Sequence, residues 1–172
     1  LAMEAVRLRD EDTGLQPMRE QLEALSNQLH GYMVPRDLHY LRARARHKGD
    51  RSVGLLSAAL GTALDIKPIL HGHRGETAPV GKIKGFNNAV ETLFGFIAKR
   101  VIRGLKTPVV CLSYGGPLDE MRTLPGYREL RDVCDQHGVN LAESVMSLTG
   151  MVNVGKGALT AGFADDPHSF AP

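Results

Sequence analysis

The stretch GFNNAVETLFGFIAKRVIRGLKTPVVCLSYGG, residues 85–116, combines an amphipathic helix with a buried strand and so decides the fold class. Its apolar residues recur at steps of three and four, which predicts a helix ending at Gly104. These residues are Phe86, Val90, Leu93, Ile97 and Val101. The apolar run Val109–Leu112 then predicts a buried strand, which the turn residues 115–117 end. A helix followed by such a strand is typical of an α/β domain.

Strand and helix signals alternate on both sides of this stretch. Upstream, Asp65–Leu70 and Ala78–Lys84 predict two strands joined by a hairpin-like connection over residues 71–76. Pro68 and Pro79 favour a place at the edge of the sheet for these strands. The alternation after residue 64 therefore predicts an α/β domain.

Downstream, a second helix and two further strands are predicted. Tyr127, Leu130, Val133 and Cys134 share one helical face, and Gly138 stops that helix. Residues 139–148 predict a strand that leads into a glycine-rich tract at 150–162, with a short strand near 159–163. The tail, 165–172, is predicted to be frayed.

The first sixty residues are predicted to be mainly helical. Leu15, Met18, Leu22, Leu25 and Leu29 follow a helical period that Gly31 would end, and Val34 lies in a short extended segment before Pro35. Asp37 is suited to cap a second helix, and residues 53–64 predict a third, rich in small residues. This division predicts a helical lead-in over 1–51 and the α/β domain over 52–172.

Composition excludes several classes of protein. The 172 residues are 42% hydrophobic and 23% charged, which suits one globular domain, and a net charge of +2 is too small to indicate nucleic-acid binding. No apolar stretch reaches the roughly 18 residues of a membrane span. Cys111 and Cys134 lie in apolar or amphipathic runs, which predicts buried, reduced thiols and a cytoplasmic protein.

Three motifs suggest chemistry. Residues 150–156 match the first part of a nucleotide-binding loop, although Gly157 stands where magnesium needs Ser or Thr, so a phosphotransferase or nucleotide-binding enzyme is the alternative function. His71 and His73 lack an apparent third ligand, so no metal is predicted. Ser113 ends a strand but lacks the glycines of a nucleophile elbow, so no catalytic residue is predicted.

A basic run precedes the strands. Arg42 and Arg46 share one face of the predicted helix, and this face is either solvated or a docking patch for an acidic partner. Lys156, in the glycine-rich tract, is expected to be exposed and is assigned to the same docking role. The helical start also leaves open a homodimer.

Four segments, taken together in their order and spacing, resemble the DegV family of bacterial proteins that bind long-chain fatty acids. They cover nearly the whole chain and look like the family's carboxyl-terminal domain with the helices leading into it. The segments are Val34-Pro-Arg-Asp-Leu-His-Tyr-Leu41, Leu64-Asp-Ile-Lys-Pro-Ile-Leu70, Lys82-Ile-Lys84, and Asn153-Val-Gly-Lys-Gly-Ala-Leu159 before Gly162-Phe163.

The resemblance implies a two-layer sandwich of helices on a mixed sheet, with a parallel-sheet amino-terminal domain ahead of it. It implies a carrier rather than an enzyme: an acyl chain lies in an apolar tunnel, and a separate fatty-acid kinase acts on the presented carboxylate. The bound fatty acid would be the ligand, and no other cofactor is implied.

The resemblance also assigns site residues. Asn153 stands where the family usually has a histidine, and Gly155 and Gly157 complete that closing motif. Lys84 stands in the family's Lys-x-Arg pattern after the hairpin, where it keeps the charge but loses the two-pronged guanidinium. The family's Ser and Thr contacts to the carboxylate belong to the amino-terminal domain, which this sequence does not include.

Overall fold

Six strands form one mixed sheet in the computed structural model, which describes residues 1–37 and 65–172. The spatial order is β3-β2-β1-β6-β4-β5. Neighbouring strands run antiparallel except for the parallel pair of β4 with β5 at one edge. The strands are β1 (Leu29–Val34), β2 (Ile66–His73), β3 (Glu76–Lys84), β4 (Val109–Tyr114), β5 (Asn140–Val145) and β6 (Leu159–Ala164).

Six helices lie in the same described residues, and two of them cover one face of the sheet. Eight side chains of α3 are buried there, as the period of three and four predicts. The helices are α1 (Ala2–Asp10), α2 (Leu15–Ser26), α3 (Phe86–Arg103), α4 (Leu118–Arg122), α5 (Tyr127–Gln136) and α6 (Leu148–Val154). The predicted layer of helices on a mixed sheet is confirmed.

Between α3, α5 and the sheet lies the hydrophobic core. Alternate residues of β1, β4 and β6 point into it, and we call this side of the sheet the helix face. Val34, Val110 and Leu159 are all fully buried there, and they pack with Leu93 of α3 and Leu130 of α5. Burial of this apolar area supplies most of the stability of the sandwich.

The predicted helix is wrong for residues 29–31, whereas the extended segment predicted before Pro35 is confirmed, since residues 29–34 all belong to β1. The helix α2 ends at Ser26, and β1 lies inside the sheet between β2 and β6. Leu29 fits both a helical period and the start of an alternating strand, so the local pattern alone was ambiguous. The described sheet therefore draws on both sides of the predicted boundary at 51, which itself lies outside the described residues, as do the predicted second and third helices.

Three local predictions are also corrected. The strand predicted over 139–148 ends at Val145, and α6 follows because the Ser147 side chain accepts a hydrogen bond from the Gly150 N–H at 3.1 Å. The hairpin connection is shorter than predicted, since only residues 74–75, both with positive φ, form the turn. The tail is not frayed at Phe170, whose ring packs 4.6 Å from that of Phe96.

Candidate functional site

The opposite side of the sheet carries a row of small residues that crosses five strands, and we call this side the groove face. Gly31 is in register with Gly72 and Gly162, and Cys111 is in register with Gly162 and Ala142. Alternation along the strands puts these five residues on the side away from α3 and α5. The prediction that Cys111 is buried is wrong, because an apolar strand still exposes every second residue on its other face. Cys134 is buried as predicted.

The glycines leave space above the sheet. A Cβ atom built on Gly31 would meet only the Gly72 carbonyl oxygen, at 3.7 Å, and one built on Gly162 would meet only the His30 carbonyl oxygen, also at 3.7 Å, among the residues described. A cavity of about 670 Å³ lies here, with Gly31, Gly72, Gly162 and Cys111 in its lining. This volume falls within the range of small-ligand pockets, roughly 300–1,000 Å³.

Three other elements contribute to the walls of the cavity. The start of α1 and the end of α2 contribute Met3 and Leu25. The tip of the β2–β3 hairpin contributes residues 72–77. The lining is mainly apolar, and it also includes the charged residues Glu4, Arg74 and Glu76. A mainly apolar lining suits an apolar ligand better than a polar one.

At the opposite end of β6, three glycines bring the chain into close contact. Gly155 and Gly157 have φ of 95° and 74°, a conformation that glycine adopts without strain. The Gly157 N–H donates to the Gly115 carbonyl at 2.9 Å, and the Gly115 N–H donates to the Ala158 carbonyl at 2.9 Å. A side chain at Gly115 would lie only 2.9 Å from the Gly157 nitrogen, so no larger residue fits.

Arg36 lies across this turn. A Cβ at Gly157 would be 2.6 Å from the Arg36 Cδ, which places the arginine side chain directly against the glycine. The guanidinium lies 4.9 Å above the centre of the Phe86 ring, and its Nη1 is 3.4 Å from both Tyr114 Oη and Glu120 Oε1. Cation–π contact and the carboxylate together hold the cation at the end of the central strands β1, β4 and β6.

Tyr114 and Glu120 lie beside Arg36, and we call these three residues at the end of the central strands the polar edge. Tyr114 Oη donates to Glu120 Oε1 at 2.7 Å, and burial, helped by that carboxylate, raises the pKa of Tyr114 to about 12. The hydroxyl therefore stays protonated at neutral pH. Sequence reasoning missed Arg36, Tyr114 and Glu120 as a group, because the only local signal was the turn at 115–117 between the last two.

The predicted site residues lie at the same end of the strands as the polar edge, but they do not form one cluster. Asn153 lies near the end of α6 and is half-buried, whereas Lys156 is exposed in the turn before β6. Lys84 ends β3, three strands from β6, which corresponds to about 14 Å across the sheet. The cation that contacts Gly157 is therefore Arg36. The predicted docking residues Arg42 and Arg46 lie outside the described residues.

The alternative nucleotide loop does not have the required geometry. A phosphate loop runs from a strand through the loop into a helix, whose amino terminus faces the phosphates. Residues 148–164 run in the opposite order, from α6 through a short turn into β6. Gly150 lies within α6, close to the Met146 side chain, rather than in an open loop.

Residues 1–37 and 65–172 also bear on metal binding and on the membrane. No three His, Cys, Asp or Glu side chains there are arranged to hold a metal ion. None of the helices in these ranges is both long enough and apolar enough to cross a bilayer.

In the described residues, the six-stranded sheet, the helical layer of α3 and α5 and the cavity floored by glycine define a two-layer α/β domain with a chamber on its second face. The chain belongs to the DegV family, whose sequence model, described as an uncharacterised protein family, matches residues 1–166. DegV domain-containing proteins of Xanthomonas axonopodis pv. citri and Xanthomonas campestris pv. campestris are each 60% identical to it over 170 residues. These matches cover 99% of this chain but 54% of each relative, so the chain spans about half their length.

Solved structures share the fold at much lower identity. DegV from Bacillus subtilis, described as a fatty acid binding protein, has a TM-score of 0.69 and 18% identity, over 96% of this chain and 55% of its own. A stearic-acid-binding protein from Eubacterium ventriosum has a TM-score of 0.72 and 16% identity, over 95% of this chain and 54% of its own. At these identities the likeness establishes the α/β architecture.

Proposed function

We propose that this chain is the acyl-binding half of a fatty-acid carrier and that it performs no catalysis itself. The cavity on the groove face is the observation that carries the proposal. Its floor consists of glycines in register, so the acyl chain can lie directly on the backbone of the sheet. Family relatives described as fatty-acid-binding proteins support the choice of ligand.

The acyl chain would run along β6, between the cavity and the turn at 155–157. The five steps along the chain from Gly157 to Gly162 span about 16 Å, so one end of a long acyl chain would reach the cavity while its other end lies at the polar edge. Apolar contact supplies the affinity of such a ligand, at roughly 0.8 kcal/mol for each buried methylene group.

The carboxylate would lie at the polar edge. Arg36 supplies a cation held against Gly157, and the amide of Asn153 is available as a neutral donor. Glu120 and Tyr114 orient the guanidinium from the other side. Lys84 stays a predicted contributor, placed further along the same edge.

Presentation of the carboxylate to a fatty-acid kinase in the cytoplasm follows from the family resemblance. The exposed Lys156 lies beside the polar edge, where a docked kinase would come close to the headgroup. Together with the predicted Arg42 and Arg46, it would meet an acidic surface on that kinase.

Lipid mass spectrometry of the intact purified protein tests the proposal directly. We expect one long-chain fatty acid per protein molecule and uptake of added oleate by protein that has been stripped of lipid. Absence of both would refute fatty-acid binding.

Filling the groove tests its location. Gly162→Leu puts a side chain into the open space above the sheet, and its φ is one that other residues adopt, so we expect folded protein that retains less than a tenth of the bound acyl chain. Gly95→Leu is the control, because no atom of the described residues lies within 4 Å of its added Cβ, and because it is exposed on α3, which covers the other face of the sheet. Equal acyl content in the two variants would place the ligand elsewhere.

Cys111 provides a second measure of the same location. Its thiol lies in the cavity lining, so bound oleate should slow its reaction with a maleimide at least severalfold. A rate that does not change on saturation with oleate would argue against an acyl chain on the groove floor.

A further inference from the structure

Four histidines from three distant parts of the sequence meet at the hairpin end of the sheet. The ring of His30 lies 5.2 Å from that of His71, 4.3 Å from that of His73 and 4.2 Å from that of His168, measured between ring centres. We call these four residues the histidine cluster. It lies on the helix face, and His30 is only 2% exposed.

The cluster is not built to hold a metal. An imidazole binds a metal in the plane of its ring, but His30, His71 and His73 stack with their planes within 6° to 12° of each other. Lone pairs in parallel, stacked planes cannot converge on one ion. The hydrogen bond between His30 Nδ1 and His71 Nε2, at 2.9 Å, instead needs one nitrogen to donate and the other to accept.

The cluster holds the hairpin tip where backbone pairing stops. The register between β1 and β2 ends at Gly31 and Gly72. Beyond that point side chains make the connection: His73 Nδ1 is 2.8 Å from the Leu29 carbonyl oxygen, and Arg74 Nε donates to the Asn27 carbonyl at 3.2 Å. The same tip, residues 72–77, is a wall of the cavity.

The surroundings favour neutral imidazoles at the centre of the cluster. Burial, reinforced by His168, His73 and His71, lowers the pKa of His30 to about 4, and burial also lowers the pKa of His71. His30 Nε2 is buried without a hydrogen-bond partner in the described residues.

Acidic and basic groups beside the cluster are already matched. On the carboxyl-terminal segment, the Asp165 carboxylate lies 3.6 Å from His168 Nδ1, but it forms a shorter ion pair with Arg100 of α3, at 2.6 Å. Asp166 pairs with Lys106 at 2.8 Å. The hydroxyl of Tyr32 bonds His168 Nε2 at 2.9 Å. Because both carboxylates already pair with other cations, two protonated imidazoles in the cluster would repel each other without compensation.

We propose that the histidine cluster is a proton-sensitive latch: while its imidazoles are neutral it holds the tip of the β2–β3 hairpin against β1 as a wall of the cavity, and acidification frees that tip. Protonation of both His30 and His71 leaves two donors facing each other and puts like charges in contact. The tip then loses the side-chain connections that replace backbone pairing. The latch is a property of the protein alone and holds whatever ligand the cavity takes.

Hydrogen–deuterium exchange of the intact protein between pH 7.5 and 5 tests the latch, with each rate divided by that of an unstructured peptide at the same pH. We expect protection of the amides of residues 72–77 to fall about tenfold per pH unit below 6.5, because the free state binds at least one more proton than the latched state. The amides of Val110–Leu112 in β4 should exchange only when the whole chain unfolds, so their protection should stay at least tenfold higher at every pH. Constant protection at the tip, or equal protection of the tip and of β4, would overturn the proposal.

A pair of variants tests whether the histidine cluster causes this pH dependence. His30→Phe keeps a flat ring for stacking but cannot bind a proton, so most of the tenfold fall should disappear. His137→Gln, at an exposed site after α5, should keep it. Equal pH dependence in His30→Phe and the parent protein would count against the latch.

Nuclear magnetic resonance of the parent protein gives an answer even if His30→Phe does not fold. The amide shifts of residues 72–77 should titrate with the midpoint of a cluster imidazole rather than with that of His137. Tip shifts that follow no imidazole of the cluster would overturn the proposal.

Discussion

The two faces of the sheet are made by alternate residues of the same strands, yet they differ in kind. On the helix face, Val110 and Leu112 of β4 are fully buried against helices. Between them, Cys111 faces the cavity beside Gly162. One face is filled with large side chains and gives stability, whereas the other is emptied of them and gives space for a ligand. Substitutions should therefore separate stability from binding according to the face they touch.

The largest loss of stability is expected at the ion pair that closes the helix face. Arg100 and Asp165 are both largely buried, at 13% and 3% side-chain exposure, so Asp165→Ala leaves an uncompensated cation and should cost about 3–5 kcal/mol. Asp119→Ala is the control, since this carboxylate pairs with Arg122 while 94% exposed, and it should cost under about 1 kcal/mol. Urea denaturation that gives equal values for both would contradict the assigned burial.

Truncation within α3 compares buried and exposed positions on one helix. Leu93→Ala should destabilise the chain by about 2–5 kcal/mol, because Leu93 is completely buried against the sheet. Ile102→Ala, at a site that is 57% exposed, should change stability by about 0.5 kcal/mol or less. Thermal denaturation with matching shifts for the two would mean that α3 buries a different face.

Stability should decrease as the pH falls below 6.5. The unfolded chain protonates His30 near its ordinary pKa of 6.5, whereas the folded chain does so only near pH 4, so the unfolded state binds more protons between these values. The contribution is present above pH 6.5 and is lost toward pH 4, at about 1.4 kcal/mol per pH unit for this one group. Urea titrations of the parent and of His30→Phe give it by difference. A parent curve no steeper than that of the variant would exclude this contribution.

The two cysteines provide the smallest and most direct contrast. Cys134→Ser buries a hydroxyl in the core and should cost about 1–3 kcal/mol, whereas Cys111→Ser on the groove face should cost about 0.5 kcal/mol or less. Burial raises the pKa of Cys134 to about 11, so a maleimide should label Cys111 alone at pH 7. Labelling of both thiols at similar rates in folded protein would remove the distinction between the faces.

Much of the fold was predictable from local pattern. The helical period over residues 86–101 is so clear that every residue of its predicted buried face is buried in α3. The run at 109–112 likewise predicted β4, and the glycines at 155 and 157 indicated the tight turn that their positive φ values show. These features depend on neighbours within one or two turns of the chain, which the sequence displays directly.

The buried faces of strands and the ends of helices and strands were harder to predict from the sequence. The apolar run around Cys111 predicted that both faces of this strand are buried. The sequence of a strand shows only which residues share a face, and other parts of the chain decide what covers each face. Leu29 satisfied a helical period while belonging to β1, and the helical residues 148–154 resembled a glycine-rich loop. Short segments carry too little periodicity to choose between two structures.

By itself, then, the sequence determined the α/β class, the principal core helix, the glycine turns and the family resemblance, because each is written in neighbouring residues. Only the tertiary structure decided that β1 lies between β2 and β6, and that order creates both sites. It aligns Gly31 with Gly72 and Gly162 to form the groove floor, and it brings His30 to His71 and His168 across 41 and 138 positions. No local period records the order of strands in a sheet, since that order is fixed by how the whole set of apolar faces is buried together.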